Sequence, residues 1–258
     1  PMKKLFALIL AGALAAGTLT ACGSTAVVAV PQPEESAPPA GESTQVSTPE
    51  NSGAAVKTGY YLGTDISGSK SAAPEEEGVA QANLELVAVT VTDEGVIDDC
   101  VIDAIQSKIN FDTTGAITTD LTAPVLSKNE LGSNYGMVKA SSIGKEWNEQ
   151  VQALADYVEG KTLDEIRGIA VTEEGKAGEA DLAASVTISI AGYLDAIEQA
   201  AANATHLGAR QGDTLVLTTS TDIAGSKDAG PEGDGTAQTY ATVAAITLNG
   251  DVITSCII

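Results

Sequence analysis

The sequence predicts an α+β fold: an antiparallel β-hairpin sheet followed by packed helices, as a tandem duplicated domain with the second copy truncated. Three observations predict it. β-branched runs separated by turn residues come first, apolar stripes at helical spacing follow, and the opening pattern returns 157 residues later.

Thr58–Gly63 reads as a short strand, and Asp65–Gly78 as a polar loop of Gly, Ser and Pro. Leu84–Thr92 (Leu-Glu-Leu-Val-Ala-Val-Thr-Val-Thr) is a β-branched strand, Asp93-Glu94-Gly95 turns it, and Val96–Ile105 returns as its antiparallel partner. Lys108–Thr118 suggests another strand around Gly115. In Glu146–Val158, helical spacing puts Trp147, Val151, Leu154 and Val158 on one face, and Gly160 stops the helix. Thr162-Leu-Asp-Glu165 is a capping box, in which each end residue's side chain satisfies the other's backbone N–H, so a short helix opens there. Leu194, Ile197 and Ala201 stripe a last helix over about Ala191–Ala204.

The repeat is specific. Thr64-Asp-Ile-Ser-Gly-Ser-Lys-Ser-Ala-Ala-Pro74 matches Thr221-Asp-Ile-Ala-Gly-Ser-Lys-Asp-Ala-Gly-Pro231, and Gly78, Ala80 and Gln81 match Gly235, Ala237 and Gln238. After a one-residue deletion, Val96, Ile97, Cys100 and Ile102 match Val252, Ile253, Cys256 and Ile258. A period this long is that of a duplicated domain rather than a solenoid. The expected organisation is a leader over residues 1–22, a tether over 23–56, a first repeat over 57–208, and the N-terminal part of a second over 209–258.

Composition excludes several functions. Of 258 residues, 35 are Asp or Glu and 13 Lys or Arg, a net charge of −22, so the surface repels phosphate and nucleic acid is a poor partner. The single histidine, His206, cannot build a His-rich metal site and leaves little room for a His-dependent nucleophile. Aromatic content of 3% disfavours base-stacking surfaces and aromatic sugar grooves.

The N-terminal segment gives an address. Lys3 and Lys4 precede an apolar stretch, Leu5–Thr20, too short and too rich in Ala and Gly for a good membrane span. It ends Leu19-Thr20-Ala21-Cys22, which resembles the bacterial lipobox. That resemblance implies cleavage before Cys22, lipidation of its thiol and anchoring to the outer face of the cell membrane; two acyl chains hold stably where one is marginal. The tether holds Pro31, Pro33, Pro38, Pro39 and Pro49 among Ser, Thr and Glu. It buries too little apolar surface to offset the entropy of ordering, and proline keeps it extended.

Several stretches carry possible chemistry. Gly63-Thr-Asp-Ile-Ser-Gly68-Ser-Lys70-Ser71 nearly spells a phosphate-binding P-loop, but Ser69 is inserted and a strand follows in place of the required helix. A turn in which an Asp side chain satisfies backbone N–H groups accounts for it better. Glu75-Glu76-Glu77 and the equivalent Glu232 and Asp234 offer hard oxygen ligands without EF-hand spacing, and read as solvated acidic loops. Cys100 and Cys256, at matching strand positions, are expected to be free and mostly buried. Paired carboxylates for hydrolysis arise by chance among so many acids, and no residue stands out as catalytic.

Asp181-Leu-Ala-Ala-Ser-Val-Thr187-Ile-Ser189 is a β-branched segment leading into the last helix. It also resembles the end of the FMN-binding domains of bacterial extracytoplasmic redox lipoproteins. That family carries Asp-x-x-Ser/Thr-Gly-Ala-Thr, and a flavin transferase esterifies FMN phosphate to the final threonine. Gly59-Tyr-Tyr-Leu-Gly63 and the turn through Gly95-Val-Ile97 are placed as in that family's entry. The resemblance, spanning about Thr58–Ala204, implies that Thr187 bears FMN, with Asp181 assisting and Ser185 and Ser189 nearby. Ala184, Ser185 and Val186 depart from the motif, and Ser and Val add bulk where glycine lets backbone approach the phosphate. Asp112-Thr-Thr-Gly-Ala116 is a weaker partial match. The implied function is a membrane-anchored flavin carrier for extracellular electron transfer, with a redox partner protein. The alternative is a non-enzymatic cell-surface binding or structural lipoprotein that has lost the flavin site.

Overall fold

A computed structural model describes residues 52–231 and 233–258. The leader, Cys22 and nearly all of the tether lie outside the described residues, as does Glu232 of the second acidic loop. The fold is α+β. Strands β1 (Lys57–Asp65), β2 (Gly78–Val91) and β3 (Ile97–Phe111) form one antiparallel meander, in that order. Helices α1 (Lys128–Leu131), α2 (Trp147–Val158), α3 (Leu163–Arg167), α4 (Ala180–Ala183) and α5 (Ala191–Ala202) follow. Strands β4 (Thr214–Asp222), β5 (Tyr240–Asn249) and β6 (Val252–Ile257) form a second antiparallel meander in the same order.

The first sheet is the middle layer, and strand alternation explains its composition. Along β2, Val87, Val89 and Val91 point into the helical core, whereas Leu84, Leu86 and Ala88 point at the second sheet. A strand buried on both faces reads as a continuous apolar run, as Leu84–Val91 does apart from Glu85 and Thr90. On the helical side, α2 contributes Trp147, Val151, Leu154 and Val158, and α5 contributes Leu194, Ile197 and Ala200. On the other side, Leu215 and Ala245 pack on Ala88, while Val243 packs with Leu84, Leu86 and Ile105. Polar links tie the layers: Thr58 Oγ1 lies 2.8 Å from Ser255 Oγ, and Asp99 Oδ2 accepts from the Leu215 N–H at 3.1 Å.

The capping box at Thr162 forms: its hydroxyl accepts from Glu165 N, and its own N–H donates to Glu165 Oε2 at 2.8 Å. Two expectations need correction. Residues 108–118 are not a separate strand: β3 runs unbroken to Phe111, and Asp112 Oδ1 then accepts from Thr114 N and Ala116 N to make a turn. This turn accounts for the partial motif at Asp112–Ala116. Before the last helix, residues 180–183 form the short helix α4, and Leu182 and Val186 both reach the core. Cys256 is exposed where Cys100 is buried. Among the described residues no helix covers the second sheet as α2 and α5 cover the first.

The loop motif is built twice with the same bonds. Ser69 Oγ donates to Gln81 O and accepts from Gln81 N; Ser226 Oγ does the same with Gln238. Asp65 Oδ1 accepts from Ser67 N, as Asp222 Oδ1 accepts from Ala224 N. Lys70 exchanges both backbone bonds with Val79, and Lys227 with Thr236. Neither loop runs into a helix, and Glu76 is paired with Lys70. Among the described residues no group of three His, Cys, Asp or Glu converges on a point that could hold a metal.

Candidate functional site

Two places compete for the functional site. The first is the segment around Thr187. Gln150, fully buried on α2, organises it: its Oε1 accepts from Thr187 N at 2.8 Å, Thr187 Oγ1 at 3.1 Å and Ile188 N at 3.3 Å. Its Nε2 donates to Ser141 Oγ and to Lys145 O, so the amide is satisfied at both ends. Ser189 Oγ donates to Gly175 O at 3.3 Å. Asp181 is exposed on α4, and Ser185 is half-buried in the turn after it.

These residues do not fit an esterified FMN. A phosphate needs convergent N–H or cationic donors. Here the Thr187 hydroxyl and the two backbone N–H groups beside it all point at one amide oxygen. The flanking charges are wrong as well. Glu179 accepts a short hydrogen bond from Tyr157 and, with the nearby Asp181, helps raise that phenol to a pKa of about 12. The bulk added at Val186 has a structural role, since Val186 is 1% exposed and packs in the main core. The structure therefore places Asp181 on α4, Ser185 in the turn after it, Thr187 bonded to Gln150 of α2, and Ser189 bonded to Gly175 O.

The second place is a cleft of about 510 Å³ at the open end of the helix-covered sheet face. The sequence of β2 explains why it exists. Val91, Val89 and Val87 lie under the helices, but the next two residues on that face are Glu85 and Asn83, which run out beyond the start of α5. From β1, Tyr61, Gly63 and Asp65 share the floor, with Ala104 and Gln106 from β3. The walls are Gly192, Tyr193, Asp195 and Gln199 of α5, and Lys128 of α1. Helix α5 sits this close because Gly59 has no side chain: an added Cβ would lie 2.1 Å from the Ala200 carbonyl oxygen. A Cβ at Gly192 would lie 3.3 Å from Glu85 Oε2, so that carboxylate rests against the first turn of α5.

The cleft is acidic. Burial pushes the Glu85 carboxyl up, and Asp195 opposite adds to the rise. Burial also raises the Tyr193 phenol, with Glu85 contributing, so it stays protonated. Asp65, by contrast, is held below the ordinary carboxylate range by the Ser67 N–H, the Ser67 hydroxyl and Asn83. Lys128 is the cation on the lining, and its ammonium lies 4.8 Å from the centre of the Tyr135 ring and 4.9 Å from that of Trp147. Among the described residues no hydrogen bond reaches the Glu85 or Asp195 carboxylate. None of Asp181, Ser185, Thr187 or Ser189 lines this cleft.

Sequence reasoning missed Glu85, Tyr61, Tyr193 and Asp195. The readable signal was the single acid inside an otherwise uncharged strand, on the same face as three valines. Compared with known proteins, the chain matches no family model, no curated protein and no solved structure.

Proposed function

We propose that this protein is a lipid-anchored extracytoplasmic binding protein, non-enzymatic, that takes up a small ligand in the cleft between the first sheet and α5. The lipobox at Leu19–Cys22 and the proline-rich tether support anchoring through Cys22 and a folded part held away from the membrane. The observation that carries the binding reading is the cleft itself. Its volume falls in the range of small-molecule sites, and it combines an aromatic wall with polar groups that lack partners of their own. The second sheet is best read as a repeat of the first sheet's strands and loop, since the two loops share their hydrogen bonds at an offset of 157 residues.

The flavin-carrier reading has less support, because Thr187 is engaged by Gln150. Expression in an export-competent host that supplies a flavin transferase tests both readings. The expected product is colourless, carries a lipid mass on Cys22 and no added mass on Thr187, and gains thermal stability from a hit in a small-molecule screen. A yellow protein with FMN esterified to Thr187 overturns the binding reading.

A further inference from the structure

The ligand class follows from which groups in the cleft already have partners, and it rests on the binding reading above. Asn83 is committed on both ends: its Nδ2 donates to Asp65 Oδ2 at 3.3 Å, and its Oδ1 accepts from Gln81 Nε2 at 2.9 Å and Gln106 Nε2 at 3.3 Å. Lys128 is held over two rings. Asp65 already accepts from Ser67 and Asn83. What remains facing the space is a pair of acceptor-only carboxylates, Glu85 and Asp195, flanked by the Tyr61 and Tyr193 rings and the Gln199 amide. An anion would meet two bare carboxylates, and a wholly apolar ligand would leave them unpartnered at a cost. An ammonium group supplies three donors to two carboxylates and removes their mutual repulsion.

We propose that the cleft binds a small, singly charged primary amine that also carries hydroxyl groups, with the ammonium held between Glu85 and Asp195. The amine end sits near the first turn of α5, where the Glu85 carboxylate rests against Gly192. The hydroxylated end lies toward Tyr61 and Gln199, whose polar groups donate to and accept from hydroxyls. Lys128 also lines the cleft, and its charge disfavours a second positive charge beside it. A hydroxylated amine is thereby separated from a linear polyamine.

The test uses the full chain at physiological salt, with titration calorimetry and thermal shift. The probes are glucosamine and ethanolamine, with glucose and ethylene glycol as neutral counterparts, glucose 6-phosphate as the anion and spermidine as the polyamine. The expected result is stabilisation by the hydroxylated amines, at least tenfold weaker binding of the neutral counterparts, and none of the phosphate. Glu85→Gln and Asp195→Asn each weaken amine binding about tenfold while the far-ultraviolet circular dichroism is unchanged. Glu75→Gln, in the acidic loop outside the cleft, leaves it unchanged. Amines that bind wild type and both cleft variants equally, or that do not bind at all, overturn the ligand class. If a neutral or anionic compound stabilises the protein and Tyr193→Ala abolishes that effect, the class is wrong but the binding cleft stands. If no compound of a broad screen responds to Tyr193→Ala, the binding reading falls as well.

Discussion

The two sheets place the same strands in the same order and differ in what lies on them. In the first, the cross-strand row Gly59, Val89 and Cys100 lies beneath α5 and the helical core. The matching row in the second is Val216, Ile246 and Cys256, half-buried, half-buried and exposed. The loops reverse the contrast. Ile66 in the first loop is 71% exposed, whereas its counterpart Ile223 is 3% exposed. Shared backbone bonds therefore fix the shape of each unit, but burial is decided by the neighbours the rest of the chain supplies. Gly59 and Val216 make the point most sharply. A residue without a side chain occurs where a helix carbonyl must touch the strand, and valine occurs where, among the described residues, no helix does.

Exchanging those two residues is the strongest way to break the comparison. Gly59→Val puts a branched side chain where even a Cβ would be 2.1 Å from Ala200 O, so α5 must lift from β1. We expect a loss on the order of 3 kcal/mol or more in urea unfolding, above the usual overpacking cost because the obstacle is backbone. Val216→Gly is expected to cost only about 1 kcal/mol, chiefly through strand propensity and backbone entropy. Equal losses would mean that α5 does not rest on β1 through this glycine.

The same contrast governs what could be read from sequence. The antiparallel hairpin, the helix over Trp147–Val158, the capping box at Thr162 and the recurrence of the Thr64–Pro74 loop were legible, because each is set by local period or turn chemistry. The end of β3 was not: Lys108–Phe111 continues a strand whose partner begins at Gly78, and pairing register is a non-local property. Exposure of Cys256 was illegible for the same reason, since its strand matches that of Cys100 but, among the described residues, lacks its helical cover. At the candidate site, the Thr187 motif was visible as a string of letters. The Gln150 amide that claims its hydroxyl and N–H groups comes from 37 residues away. The cleft draws on β1, β2, β3, α1 and α5, so only the lone Glu85 in its valine strand hinted at it.

The loops offer an intermediate effect. Ile223→Ala empties a buried position and is expected to cost about 2–4 kcal/mol. Ile66→Ala removes an exposed side chain and is expected to change stability by less than about 0.5 kcal/mol. The pair is read from urea midpoints at constant slope, since a changed slope would signal an altered unfolded state rather than lost packing. If the two losses converge, the second loop is not packed in solution and the two loops are alike there.

The smallest effect separates hydrogen bonding from burial within one motif. Ser69 and Ser226 make the same two bonds, to the carbonyl and the N–H of Gln81 and Gln238 respectively, at the same 3.2 and 3.0 Å. Ser69 is exposed, so in Ser69→Ala water replaces the hydroxyl on both backbone groups, and the expected loss is a few tenths of a kcal/mol. Ser226 is 6% exposed, so Ser226→Ala leaves the same two groups with less access to water, and the expected loss is about 1–2 kcal/mol. Because geometry is held constant across the pair, the difference isolates desolvation. Amide hydrogen exchange at Gln81 and Gln238 gives a second readout that global stability does not move: protection should fall further at Gln238 than at Gln81 relative to each variant's own unfolding free energy. A larger loss at Ser69 than at Ser226 would show that the loop motif owes its persistence to its bonds alone and not to where the fold has placed it.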